Sequence, residues 1–430
     1  MIKDFLKKIV PGFAFSFYYR VLALSAALFY GFPSREMVVI GVTGTKGKST
    51  TVNLIADILK QAGLKTGCAT TYNFRIDDQE WENKTKMTML GRFALQRLLK
   101  KMLKAGCSYA VIETSSQGVA QYRHLGINYD IGVFTNLSPE HIEAHGSFDK
   151  YREAKQEFFR HLSISKKKMI DGRLIKKISV VNLDDSYKEY FLGFQTDKQY
   201  GYTLGDGDFR DMEVILAENV SSGFQGSEFV IRGTSFRVGL LGKFNVSNSM
   251  AAISVALSQG ISLNACRRAL NGVRQVPGRM EVVSQDPFVL VDYAHTPDSL
   301  EKVYQNVSDF KNGRMICVLG AAGGGRDKWK RPVMGALAEK YCDEIIVTNE
   351  DPYDENPEEI INQIISGIRD KKTERIVDRR KAINQALIMA EKGDMVIITG
   401  KGCEAWIMGP KGKRFPWDDR EAVRECLNNR

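Results

Sequence analysis

The chain has 430 residues, 43% of them hydrophobic and 26% charged, with 61 Lys+Arg against 51 Asp+Glu and a net charge of +10. That length predicts two or three domains with sizeable cores, and the composition is ordinary for a globular protein. The basic residues lie in short clusters such as Lys166-Lys167-Lys168 and Arg379-Arg380-Lys381, without the long blocks or signatures of a nucleic-acid binder. No nucleic-acid partner is expected, and nucleotides or phosphorylated substrates suffice to explain a positive field. The seven cysteines form no C-x-x-C pair, which sets aside a zinc or dithiol motif and predicts reduced thiols in a cytoplasmic protein.

In chain order, Lys3, Lys7 and Lys8 precede an aromatic, apolar stretch over 13–32 that Arg20 interrupts. Neither a signal peptide nor a membrane span is expected. The reading is a helix over 17–30 that docks on the next domain or lies on a membrane surface. From residue 37 strands alternate with helical patterns, which predicts an α/β class with mainly parallel sheet. Strands are expected over 38–42, 109–113, 131–135 and 178–182, and helices over 50–62, 93–105 and 151–161. Between 200 and 241 the pattern alternates and is rich in glycine, as at Glu213-Val214-Ile215-Leu216 and Phe229-Val230-Ile231, predicting a small antiparallel sheet. A helix over 244–258 leads to the turn-rich boundary Val276-Pro277-Gly278-Arg279. Beyond it, strands over 288–291, 315–319, 344–347 and 395–398 predict a second α/β domain with ligands at its strand ends. The expected segments are 1–35, 36–277 and 278–430.

The segment Gly41-Val42-Thr43-Gly44-Thr45-Lys46-Gly47-Lys48-Ser49-Thr50-Thr51 lies between the apolar run Met37-Val38-Val39-Ile40 and a helical pattern. Strand, Gly-rich turn and helix in that order aim backbone N–H groups at phosphate oxygens. Lys48 would reach the terminal phosphates and Ser49 would offer a hydroxyl to Mg²⁺. A strict G-x-x-x-x-G-K-[ST] loop needs glycine where Val42 stands, so this is a variant with longer spacing. Glu113, ending a strand, is placed to hold Mg²⁺ directly or through water. His141 and His145 lie between Pro139 and Gly146 with no strong third ligand after them. His141 is read as touching a hard metal or a phosphate-proximal group, and His145 as capping or packing. Lys155 reads as a solvated helical charge, and Cys403 as a neighbour of site residues rather than a nucleophile.

The resemblance becomes specific when the motifs are taken together. They are Thr43-Gly44-Thr45-Lys46-Gly47-Lys48-Ser49-Thr50, Glu113-Thr114-Ser115-Ser116, Thr135-Asn136-Leu137-Ser138-x-x-His141 with Tyr151-x-x-Ala154-Lys155, Gly242-Lys243-Phe244-Asn245-Val246-Ser247-Asn248, Asp292-Tyr293-Ala294-His295-Thr296-Pro297 and Gly324-Gly325-Arg326-Asp327-Lys328. In this order, over residues 20–430, they resemble the Mur ligase family, and within it the members that add the third residue of the peptidoglycan stem. The resemblance implies a P-loop central domain, a Rossmann-like C-terminal domain, and an ADP-forming ligase with ATP and Mg²⁺. ATP phosphorylates an acceptor carboxylate, an amine attacks the acyl phosphate, and phosphate leaves.

Carried over by position, Lys48, Glu113, His141 and Lys155 are the expected catalytic set. Ser49 and Glu113 look like ligands of one Mg²⁺ and His141 of a second. Lys155 matches the family's carbamylated lysine, an anion able to organise Mg²⁺. Gly44, Thr45, Lys46, Gly47, Lys48, Ser49 and Thr50 are expected on the phosphates, Asn245 and Asn248 on the adenine and ribose side. Arg279, Asp292 and His295 match the C-terminal part of the nucleotide site, so domain closure is expected. Thr88, Ser115, Gln121 and Arg123 are expected to hold a nucleotide-sugar peptide acceptor, and Arg331, Asp351, Tyr353, Gly400 and Glu404 the incoming amino acid.

Two departures shape these expectations. The family starts with a uridine-nucleotide domain of about 90–100 residues, whereas residues 1–35 read as its remnant. The acceptor would then bind more weakly, lack UDP, or have its pocket completed by another protein; residues 1–35 would contact a partner protein or a membrane surface. Diaminopimelate-adding members carry Asp-Asn-Pro-Arg where this chain has Glu350-Asp351-Pro352-Tyr353. The arginine that would fork onto the distal carboxylate is a tyrosine, while Glu404 matches a contact to the distal amine. A diamino acid follows, with diaminopimelate and L-lysine both open. A folate- or cyanophycin-type acceptor, or a P-loop ATPase or regulatory subunit without ligation, are the alternatives.

Overall fold

The computed structural model describes residues 12–85, 87–139, 145–205, 212–223, 226–273, 277–308, 310–325 and 328–429. The chain divides into two units, one of Met1–Ser222 with Gly226–Val273, the other of Gly223–Gln225 with Arg274–Arg430.

In the first unit the described elements run α1 (Gly12–Phe29), β1 (Val38–Thr43), α2 (Lys48–Gln61), β2 (Thr66–Ala69), β3 (Asn73–Ile76), β4 (Gln79–Glu82), α3 (Arg92–Lys104), β5 (Tyr109–Glu113), α4 (Ser116–Ala120), β6 (Ile131–Phe134), α5 (Phe148–Ile164), β7 (Lys168–Ile170), β8 (Arg173–Ile175), β9 (Ile178–Asn182), α6 (Glu189–Leu192), β10 (Lys198–Thr203), β11 (Glu213–Leu216), β12 (Glu218–Gly223), β13 (Gly226–Ile231), β14 (Thr234–Val238), α7 (Lys243–Ser258) and α8 (Leu263–Asn271). The main sheet has the order β11-β10-β9-β6-β1-β5-β2-β3-β4. Its pairings are parallel from β11 to β2, and antiparallel at the β2–β3–β4 edge. Every residue of β1 is buried, as a central strand covered on both faces requires. Helix α5 lays Tyr151, Phe158, Phe159 and Leu162 into the core beneath it, each such side chain worth about 1.5–3 kcal/mol of burial.

Register brings the chemistry to one end of this sheet. Val42 pairs with Glu113 and Thr43 with Phe134, so the loop after β1, the end of β5 and the residues after β6 emerge side by side. The opposite end is closed by charge. Buried Asp130 is paired with Lys168 and, at 3.2 Å, with Lys177. It also accepts the Val39 amide at 2.9 Å. Burial pushes the Lys168 amine down to about 8, against the pull of Asp130.

Two expectations are corrected here. Glu213–Leu216 does not belong to the small antiparallel sheet; it is the edge of the parallel sheet, paired with β10 from Tyr200↔Glu213 onward. Alternation reports one buried face, and an edge strand of a parallel sheet has that as well as a hairpin does. Only β12, β13 and β14 form the separate sheet. The N-terminal helix starts before its expected limit, at Gly12.

The second unit continues with β15 (Glu281–Gln285), β16 (Phe288–Asp292), α9 (Pro297–Ser308), β17 (Met315–Leu319), α10 (Lys330–Tyr341), β18 (Glu344–Thr348), α11 (Pro357–Ile365), β19 (Thr373–Ile376), α12 (Arg379–Met389), β20 (Met395–Thr399), β21 (Trp406–Met408), β22 (Arg414–Pro416) and α13 (Asp419–Asn428). Its sheet order is β15-β16-β20-β17-β18-β19, parallel apart from β15. The last strand of this sheet in sequence, β20, enters between β16 and β17, so Asp292 at the end of β16 and Gly400 after β20 lie at neighbouring strand ends, at a topological switch point. Reduced thiols were expected throughout, but Cys317 on β17 and Cys342 after α10 form a disulfide with Cα atoms 6.0 Å apart. Residues 25 apart in sequence give no spacing signal; the fold makes the pair.

Candidate active site

The turn after β1 is held open by close packing. Gly44 and Gly47 have φ of 152° and 80°, which favours glycine at both. Space demands it too: a Cβ on Gly44 would lie 1.9 Å from Thr135 Oγ1, and one on Gly47 2.2 Å from Asn248 Oδ1. The loop is pinned from the end of β6. Lys46 N donates to Asn136 Oδ1 at 2.8 Å, Thr45 N to Asn136 O at 2.8 Å, and Thr135 Oγ1 to Lys46 O at 2.7 Å. Helix α2 then opens at Lys48 with Gly47 as its N-cap and no side-chain cap, which suits an anion at its N-terminus.

The polar side chains converge on this turn. Lys48 Nζ donates to Thr45 O at 2.7 Å, and buried Lys155 donates to Gly44 O at 2.6 Å. Ser49 Oγ donates to Glu113 Oε2 at 2.6 Å, and Thr71 adds its N and Oγ1 to the same oxygen at 2.8 and 3.0 Å. A hydroxyl and a buried carboxylate side by side, both oxygen donors, are a chemically suitable start for Mg²⁺, which needs few protein ligands because waters and phosphates complete its shell. Among the described residues no group of three or more His, Cys, Asp or Glu could hold a metal, in keeping with so sparse a donor set. Thr50 is buried in the first turn of α2. Asn248 Nδ2 donates to Asn245 Oδ1 at 3.0 Å; both are buried, Asn248 against Gly47. His141 lies outside the described residues. His145 Nε2 lies 3.1 Å from Ser116 Oγ and its ring 5.3 Å from that of Tyr151.

Acceptor-side candidates gather around α4. Ser115 caps that helix by accepting Gly118 N at 3.1 Å. Arg123 Nη2 donates to Gln121 Oε1 at 2.6 Å, and its Nη1 to Met89 O. Half-buried Thr88 precedes Met89 in this wall. Burial, with Arg92 close by, pulls the Arg123 guanidinium below its ordinary value.

In the second unit the candidates follow strand ends. Asp292 accepts Met280 N and Ala294 N, each at 2.7 Å, and its carbonyl accepts Gly400 N at 3.2 Å. The Arg279 guanidinium lies 4.5 Å over the Tyr293 ring. His295 Nδ1 lies 2.8 Å from Tyr293 O. Lys401 Nζ donates to Asp351 Oδ1 at 2.9 Å and to Glu404, which also accepts the Tyr293 hydroxyl at 3.2 Å. Arg331 is fully buried and engaged with Glu355 at 2.9 Å, Gln363 at 2.6 Å and Ala322 O at 3.0 Å. That pairing draws the Glu355 carboxyl down to about 2. Tyr353 has a left-handed φ of 52° and its ring lies against Gly324. Burial pushes the Cys403 thiol up to about 11, so it stays protonated.

Four residues without an assigned role at the sequence level belong to these clusters. Tyr151 OH lies 2.9 Å from Thr45 Oγ1, and its ring lies 4.5 Å from Lys155 Nζ; the i, i+4 spacing of Tyr151 and Lys155 was a usable signal. Asn136 sits in a motif but had no function attached. Thr71 had no signal at all. Glu350 is buried with Oε2 lacking a partner. Burial pushes its carboxyl up to about 7, against Lys330 and Lys401.

Residues 42–256 match the Mur ligase middle domain and residues 278–402 the Mur ligase, glutamate ligase domain. A UDP-N-acetylmuramoyl-L-alanyl-D-glutamate--2,6-diaminopimelate ligase of Aquifex aeolicus (strain VF5) is 38% identical over 414 residues, covering 95% of this chain and 81% of the relative. A UDP-N-acetylmuramyl-tripeptide synthetase of Roseiflexus sp. (strain RS-1) is 38% identical over 420 residues, covering 94% and 81%. The solved structure of a UDP-N-acetylmuramoyl-L-alanyl-D-glutamate--2,6-diaminopimelate ligase superposes with a TM-score of 0.63 at 31% identity, covering 91% of this chain and 78% of that one. A Mycobacterium tuberculosis folylpolyglutamate synthase shares the fold at 18% identity, with a TM-score of 0.66 over 88% of this chain and 92% of that one. Matched along nearly its whole length by such relatives, the chain belongs to the Mur ligase family.

Proposed function

We propose that the chain is an ATP-dependent, ADP-forming acid–amino-acid ligase of peptidoglycan synthesis. It would add a diamino acid, meso-diaminopimelate or L-lysine, to a UDP-N-acetylmuramoyl-dipeptide-like acceptor in the cytoplasm. Residues 36–277 are the ATP-binding domain of this reading, and 278–430 the C-terminal one. The observation that carries it is the Ser49–Glu113 pair at 2.6 Å, set beside a turn in which Gly44 and Gly47 leave no room for a Cβ.

The roles follow from that arrangement. Backbone N–H groups of the turn and Lys48 bind the phosphates and hold the terminal one for in-line transfer to the acceptor carboxylate. Ser49 and Glu113 would hold one Mg²⁺ and His141, outside the described residues, a second; bound there, the metal would neutralise phosphoryl charge. Asn245 and Asn248 take the nucleoside side in the first unit, and Arg279, Asp292 and His295 are the nucleotide contacts proposed for the second. Ser115, Gln121, Arg123 and Thr88 orient the acceptor, whose carboxylate becomes an acyl phosphate as ADP leaves. The incoming amine displaces phosphate and forms the amide. Lys155 is proposed to carry a carbamate: its amine adds carbon dioxide, releases a proton, and becomes an anion beside the loop. Asp351, Glu404 and the nearby Glu350 make the amino-acid end acidic around Lys401, which supports a substrate with a cationic distal amine. Arg331, Tyr353 and Gly400 shape that end. Residues 1–35 are proposed to contact a partner or a membrane surface.

The test is ADP release by the purified chain with Mg²⁺ and ATP, over candidate amino acids with and without the UDP-linked dipeptide. Release that needs both acceptor and a diamino acid supports the reading. Release indifferent to both leaves an ATPase without ligation.

A further inference from the structure

Helix α1 is apolar on two opposite faces. The inner one is closed: Ala23, Ala26 and Ala27 are buried, so close to the loop before β6 that a Cβ on Gly126 would lie 2.7 Å from Ala27 Cβ. The outer one is open. Phe17, Val21, Leu24 and Leu28 fall on one helical stripe and are 68%, 45%, 51% and 69% exposed. Phe29 lies beside the end of the stripe, 74% exposed, its ring 6.2 Å from that of exposed Phe93 at the start of α3. A contiguous apolar strip of this kind marks a contact surface.

Charge tells what kind of contact. From Phe93 the outer stripe of α3 continues at helical spacing as Arg97, Lys101 and Lys104, all exposed. No Asp or Glu occurs from Gly12 to Arg35 or from Asn83 to Ile112. Arg20 and Arg92 add cations where the helices meet, 4.7 Å over Tyr122 and 4.4 Å over Tyr19. Apolar and aromatic side chains bordered by cations and free of acids are the pattern of a helix lying on an anionic lipid surface. Among the described residues no helix is long and apolar enough to cross a membrane, and the inner face of α1 is already occupied by protein. An isologous dimer through this face would set the cations of two acid-free helices against their own copies.

We infer that the outer face of α1 and α3 docks on an anionic lipid bilayer. Phe17, Val21, Leu24, Leu28 and Phe93 enter the boundary between headgroups and acyl chains, and Arg97, Lys101 and Lys104 meet lipid phosphates. This rests on the contact proposed for residues 1–35 and is independent of the ligase chemistry.

The experiment is sedimentation of the full chain with vesicles of phosphatidylcholine alone and of phosphatidylcholine with phosphatidylglycerol, with ADP release measured separately without lipid. The chain is expected to sediment with the anionic vesicles and to be released by salt. Leu24→Ser with Leu28→Ser should weaken partitioning about tenfold or more. Arg97→Glu with Lys101→Glu should remove the preference for phosphatidylglycerol. Both variants should keep the ADP release of the unaltered chain. Failure to sediment with anionic vesicles, or sedimentation unchanged in both variants, overturns the inference. So does a dimer of the unaltered chain that Leu24→Ser with Leu28→Ser dissolves, which would make a second copy the occupant. Vesicle binding that persists where ADP release is absent supports this inference while removing the ligase reading.

Discussion

The two units assemble their candidate sites from different materials. The first uses mostly backbone: glycines pressed against Thr135 and Asn248, and carbonyls of Gly44 and Thr45 that accept Lys155 and Lys48. The second uses side-chain charge: Lys401 between Asp351 and Glu404, Arg331 on Glu355, and Glu350 with an oxygen lacking a partner. A backbone cradle is set by sterics and changes little with pH. A set of buried acids and bases is set by its neighbours, so its protonation follows solution conditions.

Lys48→Ala tests the first half of that contrast most severely. ADP release should fall by roughly 10²–10³-fold with the circular dichroism spectrum unchanged; a loss of only a few-fold would mean the turn does not carry the phosphates. Lys401→Met tests the second half. It leaves buried Asp351 and half-buried Glu404 without their shared cation, and should cost about 3–5 kcal/mol, read from the urea midpoint of the second unit's fluorescence.

Glu350→Gln is a subtler probe, seen in the pH profile of stability. Burial raises the folded carboxyl from an ordinary 4.5 to about 7. Its stabilising proton is therefore fully bound below 4.5 and lost as pH rises through about 7. The urea midpoint of the unaltered chain should fall across that window, and the glutamine variant should flatten the fall. Glu355 works in the opposite sense. Held at about 2 by Arg331, it stabilises above the ordinary 4.5, and that contribution is lost as pH drops toward 2. The smallest effect belongs to Tyr151→Phe. Losing the Tyr151 hydroxyl from Thr45 should cost about 1 kcal/mol of stability, read from the urea midpoint of the first unit, with KM for ATP within a few-fold of the unaltered chain.

The same contrast explains what could be read in advance. β1, the glycine turn and α2 are contiguous, so one local pattern carries all three. Strands 109–113, 178–182 and 315–319 appear with the expected limits, because apolar runs bounded by turns are also local. Glu213–Leu216 was misplaced because its alternation names a buried face and not a neighbour. Thr71 reaches Glu113 and Cys317 reaches Cys342 only through the fold. Glu350 sits within a motif, yet what distinguishes it is a buried oxygen without a partner, packed where Lys330 and Gly400-Lys401 arrive from two separate elements. Lys155 was visible only by resemblance; its bond to Gly44 O joins positions 111 apart.

The tight fit of Gly44 against Thr135 and of Gly47 against Asn248 bears on how transferable the turn is. Its walls come from β6 and α7, far along the chain, so an excised peptide over the turn would lose the shape that makes it useful. A graft into another scaffold would have to bring equivalents of Thr135, Asn136 and Asn248 with it, and evolution would face the same requirement, exchanging the three segments together or leaving all of them alone.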